Sequence, residues 1–273
     1  VNESKRLQKE AMDVLKQTSR TFYIPITLLQ PTLKKTVASA YLCMRAIDEI
    51  EDHEQLELDT KQHLLYSTSE LLTEGFDAAS YLELVAPYAA SLPEVTLRLG
   101  DWLDFCPDGI VEKVKESTSI MAQGMADWAK RNWYIETKED LDDYTYYVAG
   151  LVGVMLSDIW NWYDNTKTDR DLAIAFGRGL QSVNILRNQK EDDERGVTFF
   201  PKGWSRDDMF TYANANLQLA DEYMKDLNTK TIKVFCNIPL ALAKRTIKAL
   251  QEGREKISRD EVGEIVEKVK TTN

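Results

Sequence analysis

Apolar residues recur along this chain at intervals of three and four almost throughout, and the strict alternation that marks strands is scarce. The pattern predicts an all-α protein of roughly ten or more helices. Helix breakers are few and clustered: Pro25 with Pro31, Pro87 with Pro93, Pro107 with Gly109, the stretch from Gly196 to Gly203 around Pro201, and Pro239. Helix starts are marked by Thr137 with Asp140, Thr168 with Asp171, Ser205 with Asp208 and Ser258 with Glu261. In each pair the two side chains can satisfy amides left free at a helix start. Two long helices are expected over 141–163 and 169–191, apolar around most of their circumference and therefore central. Gly150, Gly153, Gly177 and Gly179 fall inside them. Glycine costs a helix about 1 kcal/mol relative to alanine, so four of them point to close backbone approach, either to a neighbouring helix or to a ligand. Segment 254–273 reads as a charged, solvated amphipathic helix. With no linker, low-complexity tract or repeat array in view, the economical reading is one helical domain over 1–273.

Composition narrows the chemistry. Of 273 residues 43% are hydrophobic, enough for a sizeable core without disulfides, and the net charge of −11 argues against a nucleic-acid partner. An anionic small molecule stays open, provided local cations or metal ions receive it. Cys43, Cys106 and Cys236 sit in apolar contexts without a CxxC and read as buried thiols, which suits a reducing cytoplasm. No run of 18 apolar residues occurs, so no membrane span is expected. With only His53 and His63, a Ser-His-Asp hydrolase or a histidine-rich zinc site is nearly excluded.

Two polar stripes carry the candidate chemistry. In AYLCMRAIDEIEDHE, from Ala40 to Glu54, the residues Tyr41, Arg45, Asp48 and Asp52 share one helix face. This is either a solvated face with an Arg–Asp pair or a pair of carboxylates one turn apart that binds Mg²⁺, an ion that takes hard oxygen ligands. The second stripe is Gln181, Asn184, Asn188 and Asp192, spaced three, four and four through an otherwise apolar helix. Buried amides need partners, and either a polar network between helices or a ligand cavity would supply them. Arg45 and Arg187 add guanidinium groups suited to phosphate oxygens; Lys34 and Lys35 either assist or are surface charge. The six tryptophans, Trp128, Trp133, Trp160 and Trp162 among them, read as core rather than as cavity lining.

Four stretches in order resemble the squalene/phytoene synthase family. Ser19-Arg20-Thr21-Phe22 is similar to the family's S-[RK]-[ST]-F, and YLCMRAIDEIED to its first aspartate-rich motif. The run from Tyr144 to Gly153 is similar to Y-x-x-[YG]-V-A-G-x-V-G, and Q-x-x-N-I-L-R-N-x-x-x-D from Gln181 to Asp192 to the second aspartate-rich motif. The resemblance implies an isoprenoid-synthase bundle with a central cavity, two facing acidic helices, Mg²⁺ as cofactor and a prenyl diphosphate, farnesyl by expectation, as substrate. Its lipophilic product would pass to membranes. Carried over by residue, metal ligation falls on Asp48, Asp52, Asn188 and Asp192. Diphosphate contacts fall on Ser19, Arg20, Tyr41, Arg45, Gln181, Asn184 and Arg187. Tyr144 takes the tyrosine assigned to cation or proton handling, its alternative being a core tyrosine with a satisfied hydroxyl. Asp48 and Asp52 count with Tyr144 as the catalytic set.

Two departures shape the functional expectation. The second motif begins with Asn188 where the family has aspartate, and Gly196-Val-Thr-Phe-Phe-Pro201 carries Val197 where the family often has arginine. One lost unit charge at about 4 Å is worth up to roughly 4 kcal/mol at an effective dielectric near 20. A site weakened in this way would ionise one prenyl diphosphate and let water capture the cation. The leading expectation is therefore a phosphatase-type hydrolysis of farnesyl diphosphate to farnesol and diphosphate. Head-to-head coupling of two prenyl diphosphates to presqualene diphosphate, squalene or a dehydrosqualene/phytoene product is second, and an inactive prenyl-lipid binding protein third.

Overall fold

A computed structural model describes residues 2–272. Those residues form helices joined by short connections, with no strand among them. They divide into two compact units, Val1–Asn132 and Trp133–Asn273.

The first unit contains α1 (Asn2–Thr18), α2 (Arg20–Thr27), α3 (Pro31–Glu51), α4 (Leu58–Thr73), α5 (Ala78–Val85), α6 (Glu94–Leu97), α7 (Leu99–Phe105) and α8 (Asp108–Lys130). Pro31 opens α3 at its first turn, where its missing N–H costs nothing. Helix α3 is the centre of the unit, packing against α1, α2, α4, α6, α7 and α8. Its apolar positions Leu42, Cys43, Ala46, Ile47 and Ile50 are fully buried, which leaves Tyr41, Arg45 and Asp48 on its wetter side. Polar ties hold the neighbours in place. Thr96 Oγ1 donates to the Ala46 carbonyl at 2.8 Å, and Tyr81 OH donates to the Thr96 carbonyl at 2.8 Å. Between α4 and α8, Ser69 Oγ donates to the Ser119 carbonyl at 2.8 Å, and Ser119 Oγ to the Ser69 carbonyl at 2.9 Å. Each such bond satisfies a hydroxyl that burial would otherwise penalise.

The second unit contains α9 (Lys138–Thr145), α10 (Leu151–Asp164), α11 (Arg170–Arg187), α12 (Gln189–Glu194), α13 (Arg206–Met224), α14 (Lys230–Gln251) and α15 (Arg259–Thr272). The helix expected over 141–163 is α9 and α10 joined by a π-helical turn, Tyr146–Gly150. The helix expected over 169–191 stops at Arg187 and resumes as α12. Its starting cap is Asp169, which accepts from the Leu172 amide, rather than Thr168. The boxes at Thr137 and Ser205 form as expected, and Ser258 exchanges both bonds with Glu261. Pro239 lies inside α14 instead of ending it, and Pro25 lies inside α2. Buried packing of α14 outweighs the one helix bond that Pro239 removes.

The helical glycines are accounted for by packing. A Cβ on Gly153 would lie 2.1 Å from the Ala173 carbonyl oxygen, and one on Gly177 2.2 Å from that of Ala149. A Cβ on Gly179 would lie 2.8 Å from Leu217 Cδ2. The π turn and α10 thus approach α11 backbone to backbone, which no larger residue permits, while Gly179 makes room for the Leu217 side chain of α13. Trp102, Trp128 and Trp160 are core residues, as expected, whereas Trp162 is 37% exposed.

Candidate active site

The first unit gathers carboxylates at the C-terminal end of α3. Oxygens of Asp48, Glu51 and Asp52 lie within 4.8 Å of one another. Asp48 and Asp52 were expected; Glu51 was missed, although it stands three residues after Asp48 and so shares its face. Asp48 is half-buried, Glu51 buried and Asp52 exposed. Burial pushes the Asp48 carboxyl well above the usual range, with the neighbouring Asp52 adding to the shift and Arg45 opposing it. Asp52 reaches solvent, yet the protein packed around its carboxyl still raises it by desolvation, against the pull of Arg45 and Lys61. With 31% of its side chain still in contact with solvent, Asp48 is crowded rather than sealed off. Closely spaced hard oxygens that repel one another fit a divalent cation such as Mg²⁺.

Arg45 lies on the expected face but is turned along its own helix. Nη1 pairs with Asp48 Oδ2 at 3.3 Å and Nη2 with Glu49 Oε1 at 2.9 Å, while Nε is buried without a hydrogen-bond partner. Tyr41 is half-buried, its ring 4.8 Å from that of Phe22. This contact brings the Ser19–Phe22 stretch to the acidic helix. Ser19 stands at the joint between α1 and α2, where its carbonyl accepts from the Phe22 and Tyr23 amides at 3.0 and 2.9 Å and its hydroxyl makes no cap bond. Arg20 is exposed.

In the second unit the third motif packs against the first half of α11, the helix that leads into the fourth motif, through the contacts of Gly150 with Ile174, of Gly153 with Ala173 and of Gly177 with the π turn. Gln181, Asn184 and Asn188 are half-buried along α11 and its end, and Arg187 is exposed. Asn188 is the joint between α11 and α12: its amide donates to the Asn184 carbonyl and its carbonyl accepts from the Asp192 amide, both at 2.9 Å. Asp192 is buried, and burial raises its carboxyl. Arg195 opposes that shift through a 2.7 Å bond from Nη2 to Oδ1. Arg195 was not anticipated, yet its i+3 spacing from Asp192 is legible. Tyr144 is buried and its ring stacks on Phe199 at 5.1 Å. The loop carrying Phe199 is fastened at Val197, whose amide donates to the Asp192 carbonyl at 2.9 Å.

Comparison with known proteins bears on the reaction. The chain is 30% identical over 273 residues to the squalene synthase of Dictyostelium discoideum, covering 87% of this chain and 62% of that protein. It is likewise 30% identical to that of Saccharomyces cerevisiae, covering 89% and 61%. It therefore spans somewhat over three-fifths of the length of these relatives. A solved ligand complex of TcSQS superposes with a TM-score of 0.79 at 23% identity, over 97% of this chain and 86% of that one, so the folds agree. These findings overturn the expectation of a farnesyl diphosphate phosphatase: these two relatives, and a third from Schizosaccharomyces pombe at 29% identity, are named squalene synthases. The physical reason lies in the two substituted positions. The backbones of Asn188 and Val197 tie into the Asp192 turn through hydrogen bonds that an aspartate and an arginine at these positions would make equally well. The amide oxygen of Asn188 remains a hard donor, and Glu191 and Asp193 keep the turn acidic. One missing charge in such a stretch does not identify a different reaction. The family model for squalene/phytoene synthase matches residues 15–207, well over half the chain, and the protein belongs to that family.

Proposed function

We propose that this protein joins two prenyl diphosphates head to head, with farnesyl diphosphate as substrate and presqualene diphosphate, squalene or a dehydrosqualene-type product as outcome. The observation that carries this reading is the similarity to squalene synthases over 87% of the chain. In this reading both compact units belong to one catalytic domain. Asp48 and Asp52, with Glu51 beside them, hold Mg²⁺, and Asp192 with the Asn188 amide oxygen forms the second acidic position. When bound, Mg²⁺ supplies Lewis-acid neutralisation of the leaving diphosphate.

The protein's own residues do the rest. Ser19, Arg20, Tyr41, Arg45, Gln181, Asn184 and Arg187 bind and orient diphosphate oxygens; Arg45 is already charge-paired on α3 and would exchange a carboxylate partner for phosphate. Tyr144, buried against Phe199, offers an aromatic face and a hydroxyl to the cationic stage. Coupling succeeds only while water is kept from the cation. A cytoplasmic location fits the three buried free thiols, and no helix among the described residues is long and apolar enough to cross a membrane.

The test is a lipid product profile from purified protein with farnesyl diphosphate and Mg²⁺, with and without NADPH. A product carrying two farnesyl chains is expected, reduced to squalene only if the protein uses the hydride donor. Farnesol as the main product would overturn the reading.

A further inference from the structure

Lys61 stands in the first turns of α4 with only 8% of its surface exposed. A buried ammonium is costly unless other groups compensate it. Its Nζ donates to the Glu51 carbonyl at 2.7 Å. That carbonyl belongs to the last turn of α3, whose terminal carbonyls have no partner within the helix and form the negative end of its dipole. The same turn bears Asp48, Glu49, Glu51 and Asp52. Four carboxylates at a helix C-terminus oppose the dipole and one another. Arg45 offsets part of this charge from within α3, and Lys61 brings a second cation from another helix, close enough to pull on Asp52.

The connection between the two helices is itself braced. His53 Nδ1 accepts from the Gln55 and Leu56 amides at 3.1 and 3.2 Å, and Nε2 meets the Ser91 carbonyl at 2.9 Å. The turn is thus held in the form that returns Lys61 to the end of α3.

We propose that Lys61 is the positioning residue of the first carboxylate set, its ammonium capping the last turn of α3 so that Asp48, Glu51 and Asp52 stand in ligating geometry before a divalent ion arrives. The proposal rests on the metal-binding reading of α3 given above. Without the ammonium, the hydrogen bond to the Glu51 carbonyl is lost and only Arg45 still opposes carboxylate repulsion at the helix end. Asp52 then swings away from Asp48, and an incoming ion must gather its ligands again. An opposing effect also exists, because a nearby cation repels a divalent ion, so relieving that repulsion would tighten binding. The two effects differ in sign.

The experiment is a Mn²⁺ titration of the full chain, followed by electron paramagnetic resonance of the free ion, with circular dichroism to verify folding. Lys61→Met is expected to weaken Mn²⁺ binding about tenfold, the scale of outer-shell changes at metal sites, and Lys61→Arg to recover most of it. Binding by Lys61→Met that equals or exceeds wild type overturns the proposal and leaves the metal reading intact. So does a Lys61→Arg variant as weak as Lys61→Met, which would show that only packing is lost. Wild type that binds no more Mn²⁺ than Asp48→Asn overturns both. Should Lys61→Met not fold, Lys61→Gln takes its place: weaker binding supports the proposal, and unchanged binding overturns it.

Discussion

Replacing Gly177 by alanine would aim a methyl group at the backbone of the π turn. The new Cβ would stand 2.2 Å from the Ala149 oxygen, 2.6 Å from its carbonyl carbon and 2.8 Å from the Gly150 nitrogen. Backbone atoms cannot rotate aside as a side chain can, so α11 and the turn must separate by about an ångström along their contact, in a close-packed interior. Overpacking of this kind costs roughly 1–3 kcal/mol, and rigid neighbours place it near the top of that range. Alanine returns about 1 kcal/mol through helix propensity, leaving a net loss of about 2 kcal/mol. For a chain of this size that lowers Tm by roughly 4–8 °C. The control is Gly263→Ala in α15, where nothing lies within 4 Å of the added Cβ; there only the propensity gain of up to about 1 kcal/mol remains. Urea and thermal unfolding followed by circular dichroism should move in opposite directions for the two variants. If Gly177→Ala were as stable as wild type, the packing account would be refuted, and close approach of a ligand would again be the better reason for that glycine.

Other consequences follow from particular contacts. Thr137→Ala removes the hydroxyl half of a complete capping box and should lower stability by about 1 kcal/mol in urea unfolding. Glu261 is held down to about 2, below its ordinary 4.5, chiefly by hydrogen bonding to Arg254. A depressed carboxyl contributes stability above its ordinary value and loses it as pH falls toward the folded one. Glu261→Gln should therefore flatten the stability profile between pH 4.5 and about 2. Asp48→Asn should reduce Mg²⁺-dependent turnover on the order of a hundredfold or more. It should not lower the metal-free Tm at neutral pH, because a carboxyl raised by burial and by Asp52 disfavours the folded state once ionised.

The fold class was legible because the three- and four-residue periodicity is continuous, and the helix starts at Thr137, Ser205 and Ser258 were legible because capping chemistry is local. The π turn at Tyr146–Gly150 was not. Its residues continue the apolar helical pattern, and nothing in their spacing marks the wider turn that packs against α11. The four glycines announced close approach without naming the partner, and only the contacts with Ala149, Ala173 and Leu217 distinguish a helix from a ligand. Within the site, Asp48, Asp52 and Asp192 could be placed by i,i+4 spacing and motif. Lys61 could not, since its link to Glu51 crosses a turn whose shape depends on His53. The error about hydrolysis came from treating one missing charge at Asn188 and one missing arginine at Val197 as decisive, although the turn they tie into keeps Glu191, Asp192 and Asp193.

Isotope mixing tests the proposed coupling most directly. An equal mixture of unlabelled and uniformly carbon-13-labelled farnesyl diphosphate is turned over with Mg²⁺, and the extracted product is weighed by mass spectrometry. Joining of two chains predicts light, mixed and heavy species, with the mixed one most abundant. Light and heavy single-chain products with no mixed species would contradict it.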